Sequence, residues 1–594
     1  MGPYTSLAIS VTLFRLPVAL GWQGLLEMLQ GQVHGMGIIT EGWMGTISEG
    51  FSVDKAGLFE DDCRTSQEVG GLIGQGEMDC NTAAVIADLI HRNCAEDLAC
   101  RHPFFSDLEK QVKLVPNNVQ HASRACVMAS FLLEPDGIVV GSMDPEYERL
   151  TQINWSKDCW LEPRCIVQPR STAQVQRIMK IINRTSARFA IRSGGHNPNC
   201  GWASIGNEGV LVDLSLLSHV DISENALTAN IGPGNRWIDV YKKLDGSGRT
   251  VLGGRTPDVG VGGLLLGGGI PSFSSQFGFA CDYVRRYEVV LSNGTVVIAD
   301  QNVNRDLWWA LKGGGSNFGI ITQFELETVP VDRIWYESRI YEPREGLRLL
   351  EAVREYQVAA EADEKASFAF SLSNNHTIVA FIYSAPEAYP AVFNMFYDIP
   401  FRQNFIEPSF GTPYSLAAAF EQVLGDRPSF KRDIIAVSTK PDLSLYRKSY
   451  ERWLQLSEEM LSKFDCMMTF GIQPVTSSAI RKSIARGGNP MNLNLRPESQ
   501  QWYTSVIQWQ DDRFGDLAHE FVVRSGGAVR ELAHENNLLL EFEFMNDASW
   551  HQRPIQSYGQ ANVNRLLEIS RRYDPSRVFQ KLQGGGFLLL DDAA

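Results

Sequence analysis

The groups whose types and spacing could do chemistry are a histidine at the end of a glycine turn, four glycine-rich segments and three acidic residues near the C-terminus. The segments are RSGGHN at 192–197, IGPGNRW at 231–237, VGVGGLLLGGGI at 259–270 and KGGGSNFGIIT at 312–322, each following an apolar run that reads as a strand. Glycine lets backbone N–H groups approach an anion closely and adopt positive φ, so consecutive amides can converge on phosphate oxygens without a cationic side chain. Turn punctuation would explain one such segment, but four together point to a cradle for a pyrophosphate. The pattern is not a dinucleotide fingerprint of the Rossmann kind, because GPGNRW and GVGGLL lack the βαβ context with an acidic residue about twenty positions on.

These segments need elements to hold them. From about residue 160 the chain alternates β-branched runs of four to six residues with Gly, Pro and Asn turns, interleaved with helical stretches such as STAQVQRIMKIINRT at 171–185. Residues 332–531 have fewer glycines and longer amphipathic stretches, among them SLYRKSYERWLQLSEEMLSKF at 444–464, and the end returns to helix plus turn in NVNRLLEISRRYDPSRVF. Trp308 and Trp309 are expected to pack a helix on a sheet. The fold class is α+β. Residues 1–118 show little periodicity beyond a helix expected at 82–99, and their role is unassigned.

A chain of 594 residues exceeds one hydrophobic core, and 44% apolar with 21% charged residues is ordinary globular composition. A net charge of −15 without a basic, aromatic-interleaved block argues against a nucleic-acid partner. Ten cysteines are too dilute for a disulfide scaffold, and without a CxxC pair no metal site is expected. The apolar stretch 5–26 suits a secretory signal, yet Arg15 and Pro17 interrupt it and no basic residue precedes it, so secretion and an endomembrane location stay open. No stable membrane partner is expected. Four sequons, at Asn154, Asn183, Asn293 and Asn375, do not settle the compartment.

In order and wording, CIVQPRSTAQVQRIM, FAIRSGGHNPNCGW, LVDLSLLSHVDI, TANIGPGNRWIDVY, GGRTPDVGVGGLLLGGGIPSFSSQFGFACDYV and WWALKGGGSNFGIIT resemble the FAD-binding domain of the vanillyl-alcohol oxidase and p-cresol methylhydroxylase (PCMH) superfamily. Within it they are most similar to the berberine-bridge-enzyme-like branch of fungal FAD-linked oxidoreductases, and YGQANVNRLLEISRRYDPSRVFQ resembles the closing flavin-domain segment. The resemblance implies a bipartite PCMH-type FAD-binding domain, 119–331 with 532–594 and a core from about 160, plus an α+β substrate domain with an antiparallel sheet at 332–531. It implies that Arg192, Ser193, Gly194, Gly195, His196 and Asn197 surround the pyrophosphate, with FAD covalently bonded through His196. Thr256, Val261, Gly263, Gly267, Gly268 and Gly269 would form a second loop followed by Asp282, and Ile321 would face the adenine end. A tethered flavin carries the redox chemistry, leaving orientation and electrostatics to the protein.

Two departures bear on mechanism. Where some members attach FAD a second time through cysteine, this chain has Thr256, which cannot supply a thiolate, and Cys281 suits a small buried residue, so one attachment is expected. In LLLEFEFMNDASWHQRPIQSYG at 538–559, Asn546 is kept but Phe544 and Asp547 stand where the branch often has tyrosine. Read as a strand, the segment puts Glu541, Glu543 and Met545 on one face and Phe542 and Phe544 on the other. A solvated edge accounts for the two glutamates, and Asp547 ranks ahead of them as the catalytic base. The expected function is an FAD-dependent oxidase passing hydride from a small organic substrate, a secondary metabolite, to flavin, with molecular oxygen as acceptor. A carbohydrate oxidase, a flavin dehydrogenase and a non-catalytic flavin-binding protein are the alternatives.

Overall fold

The computed structural model describes residues 117–133, 138–424, 429–493 and 497–589. The helix expected at 82–99, the apolar stretch 5–26 and Cys63, Cys80, Cys94 and Cys100 lie outside these residues.

The first layer is a four-stranded sheet in the order Val139–Gly141, Cys165–Val167, Gly209–Asp213 and Arg188–Arg192, whose last three strands are parallel. The strands Cys165–Val167 and Gly209–Asp213 are buried along their whole length, as parallel strands covered on both faces must be. The helix Thr172–Thr185 covers one face and starts where the sequence suggests, at Ser171, whose side chain accepts a hydrogen bond from the Gln174 amide. The helix Asn117–Leu132 packs beside it and is joined to the sheet by a Cys126–Cys165 disulfide. Among the described cysteines, Cys126 and Cys165 make a bridge and Cys159, Cys200, Cys281 and Cys466 are free.

A second, antiparallel sheet centres on the long strand Ile320–Val329, flanked by Thr228–Ile231 and Val284–Val290. Trp308 and Trp309, in the helix Arg305–Ala310, are buried beside it as expected, and the Trp308 indole N–H donates to the Val284 carbonyl at 2.9 Å. The chain comes back to both sheets at its end: Gln583 forms a parallel bridge with Phe189 of the first, and the Asn317 side chain, just before Ile320–Val329 of the second, donates to the Phe587 carbonyl at 2.8 Å.

The third sheet has eight strands, all paired antiparallel, from Gln403–Gly411 at one edge to Lys431–Thr439 and the short Leu539–Leu540 at the other. Period-two alternation divides its faces. Phe368, Phe370, Phe470, Ile472, Tyr503 and Ile507 form a core with the helices Gly346–Ala359, Leu443–Leu461 and Gly515–Glu535. The opposite face mixes small or polar residues, Ser367, Ala369, Ser371, Thr469, Gly471, Thr504 and Gln508, with apolar ones, among them Ile378, Ile382 and Met467, and these front the cavity described below. The helix Gly515–Glu535 runs through position 531 and buries Phe521, Val522 and Val529 against this sheet.

Candidate active site

The four glycine-rich segments line one cavity of about 850 Å³ between the first two layers and the face of the large sheet that carries Ser367 and Thr469. Ser193 rivets three of them: its hydroxyl donates to the Pro233 carbonyl at 2.6 Å and accepts from the Gly262 amide at 3.1 Å. The fourth is tied in by the Gly315 amide, which donates to the Leu266 carbonyl at 3.0 Å. Glycine is required where two loops touch, since a Cβ on Gly194 would stand 2.5 Å from the Gly260 backbone.

Of the residues implied for the cofactor, Ser193, Gly194, Gly195, His196, Asn197, Thr256, Gly263, Gly267 and Ile321 line this cavity. Val261 is buried behind it, and Gly268 and Gly269 turn away with φ of +108° and +70°. Asp282 is buried elsewhere, beside the Lys312 ammonium at 3.5 Å and the Asn489 amide at 3.2 Å, and burial pushes its carboxyl above the usual range. Arg192 does not reach the cavity either. Its guanidinium is held inside by Asp213 at 2.9 Å and the Asn154 side chain at 3.1 Å and so braces the loop. Both partners are buried, and removing one strands the other's charge. Asp213→Ala is expected to destabilise the protein by about 3–5 kcal/mol, with the double variant Arg192→Met/Asp213→Leu recovering most of the loss. Equal unfolding midpoints for parent and Asp213→Ala would contradict this.

The His196 ring stacks on Trp155, with centroids 4.6 Å apart and planes 14° from parallel, and its Nε2 lies 3.6 Å from an Asp258 carboxylate oxygen. No sequence signal picked out Trp155. Asp258 lies within TPDVG, directly after Pro257, and its proximity to His196 depends on the close approach of Gly260 to Gly194.

The segment 538–549 departs from the expected strand. Only Leu539–Leu540 pairs, followed by extended chain and a single turn at Met545–Asp547. Phe542 and Phe544 pack on Trp502, and Glu543 is covered as well: it accepts from the Arg553 amide at 2.9 Å and faces Arg530 at 3.3 Å. Glu543 is thus a buried structural carboxylate and not a solvated edge. Glu541 is exposed, and neither glutamate lines the cavity.

Asp547 does line it. The Gln473 amide donates to Asp547 Oδ2 at 2.7 Å, and Arg255 in turn donates to the Gln473 side-chain oxygen. Burial pushes the Asp547 carboxyl above its ordinary range, against the opposing pull of the Gln473 hydrogen bond and the Arg255 charge. The neighbouring Asn546 clamps the second loop, donating to the Gly263 carbonyl at 3.1 Å and accepting from the Gly269 amide at 3.1 Å. A Cβ on Gly267 would lie 2.3 Å from the Asn546 side chain. Arg255 and Gln473 carried no sequence signal, because the large sheet and the second loop meet only in the folded chain.

Among the described residues no helix is long and apolar enough to cross a membrane. A family model described as an FAD binding domain matches residues 163–300. An FAD-dependent monooxygenase of Arthrobotrys oligospora is 37% identical over 452 residues, covering 75% of this chain and 86% of the relative. Two solved structures share the fold: the xylooligosaccharide oxidase of Myceliophthora thermophila, with TM-score 0.63, 19% identity and coverage of 77% and 99%, and BBE-like 1 of Physcomitrella patens, with TM-score 0.62, 17% identity and coverage of 76% and 96%.

Proposed function

Given that the chain belongs to the berberine-bridge-enzyme-like branch of PCMH-type FAD-dependent oxidoreductases, we propose that it oxidises a hydroxyl-bearing, largely apolar secondary metabolite, with FAD bonded to His196 and molecular oxygen as acceptor. The observation that carries this is the convergence of four glycine segments, His196 and Asp547 on one cavity. The residues fit the cofactor: the backbone at Gly194 and Gly260 is too close for side chains, Gly263 opens onto free space, and His196 Nε2 is buried without a hydrogen-bond partner. Bound there, FAD supplies the two-electron acceptor that no side chain provides.

The protein's own contribution is placement and proton transfer. Gln473 occupies Asp547 Oδ2 and fixes the carboxylate's orientation, leaving Oδ1 to take the substrate hydroxyl proton. Arg255 holds the Gln473 amide in the orientation that donates. Ile378, Ala380, Ile382 and Phe420 provide an apolar wall for the substrate body, while Thr469, Thr504 and Gln508 offer hydrogen bonds across the chamber. The apolar wall of Ile378, Ile382 and Phe420 favours a non-carbohydrate substrate.

The test is anaerobic rapid mixing of purified protein with two panels, phenolic or alicyclic alcohols and oligosaccharides, followed by oxygen, with peroxide and product mass recorded. Bleaching of the flavin by an alcohol, then one peroxide per turnover and a product two hydrogens lighter, is expected. Bleaching by oligosaccharides alone overturns the substrate class. A product heavier by one oxygen would make the reaction a monooxygenation, and slow reoxidation in air would make the protein a dehydrogenase.

A further inference from the structure

Residues 154–160 bridge the His196 loop to the large sheet. On one side the Trp155 amide donates to the Gly195 carbonyl at 2.9 Å, and the Asn154 side chain, buried despite its sequon, donates to the Ala203 carbonyl at 3.2 Å. On the other side the Lys157 amide donates to the Phe430 carbonyl at 2.8 Å, the Arg432 amide donates to Ser156 Oγ at 2.9 Å, and Asp158 pairs with Lys431. Within this clasp Cys159 is fully buried and its Sγ lies 2.7 Å from Sγ of Cys200, an exposed residue of the loop that carries His196. That separation is well inside the contact distance of two non-bonded sulfurs. Neither cysteine takes part in the Cys126–Cys165 bridge.

We propose that Cys159 and Cys200 are a reversible thiol–disulfide pair, oxidised by low-molecular-weight disulfides of the glutathione type, that covalently staples the His196 loop to the clasp. Cys200 is the sulfur that a reagent reaches, and the contact with Cys200 together with burial keeps the Cys159 thiol protonated far above its ordinary range. The Cys200 thiolate attacks one sulfur of oxidised glutathione, forming a mixed disulfide and releasing one glutathione thiolate. Cys159 then loses its proton to solvent and attacks the Cys200 sulfur, expelling the second glutathione. Two protein thiols are oxidised to one disulfide, and one glutathione disulfide is reduced to two thiols. An exposed disulfide is the labile kind, whereas Cys126–Cys165 lies in the core and should resist the same reductant. The inference does not depend on the flavin.

The experiment uses the full chain, incubated with oxidised or reduced glutathione, alkylated, digested with trypsin and mapped without reduction. Oxidised glutathione should link peptide 158–164 to peptide 193–236, and reduced glutathione should abolish this link while Cys126–Cys165 persists. The oxidised form should also melt a few degrees higher. Cys159→Ala should trap glutathione on Cys200, and Cys200→Ser should form neither product. Alkylation of both Cys159 and Cys200 after oxidation, or a stable glutathione adduct on Cys200 of the unmutated protein with Cys159 alkylated, overturns the proposal. Because the unmutated protein gives the deciding result, a poorly folding variant does not blunt it.

Discussion

Asp547→Asn is expected to slow anaerobic flavin reduction by about a hundredfold to ten-thousandfold, the usual contribution of a general base, with little change in substrate binding and with the flavin still attached. The expectation rests on a carboxylate in the cavity wall whose second oxygen is already taken by Gln473. Burial raises the Asp547 pKa, so the rate in the parent should fall as pH drops through a value above the ordinary carboxylate range, and this limb should vanish in the variant. The sign for stability is opposite to that of a salt-bridged acid. With the folded pKa above the unfolded one, ionisation of Asp547 opposes folding at pH values above both, and the penalty disappears below both. The variant should therefore fold at least as well as the parent at neutral pH, which separates a lost base from a lost fold. Glu541→Gln should leave rate and stability unchanged, and Glu543→Gln should lower stability without touching the chemistry. If Asp547→Asn reduces as fast as the parent, the base lies elsewhere on the large sheet.

His196→Ala should move all of the flavin from the acid-precipitated pellet to the supernatant. In the unmutated protein the colour should stay with the polypeptide, and tryptic mapping should find flavin on peptide 193–236 alone. No second attachment is expected, because Thr256 supplies no thiol on the cavity wall and Cys281 is fully buried in the core, where burial also raises its pKa. A colourless pellet from flavin-loaded, unmutated protein would falsify the covalent bond, and a flavinylated cysteine peptide would contradict single attachment.

The cradle was legible because glycine is informative where backbones must touch: RSGGH and GVGG sit at the Gly194–Gly260 contact, and no other residue type could. The helices 171–185 and 444–464 were legible from one apolar stripe each, since each packs one side on a sheet. Glu543 misled for the converse reason, because alternation reports burial only where one face meets water, and here Arg530 and the Arg553 amide cover the polar side. Position in RSGGH says nothing of what holds the Arg192 side chain, and only the fold reveals Asp213 beside it. Pairings such as Cys126 with Cys165 and Gln473 with Asp547 depend on distances between elements that no local pattern encodes.

The bridge between Phe189 and Gln583, with Phe587 on the cavity wall, sets an order of events during synthesis. The strand that leads into His196 leaves the ribosome several hundred residues before the segment that completes its surroundings. At roughly 5–20 residues per second, that gap lasts on the order of tens of seconds. The part of the cavity wall that Phe587 supplies is therefore added long after the strand that leads into His196.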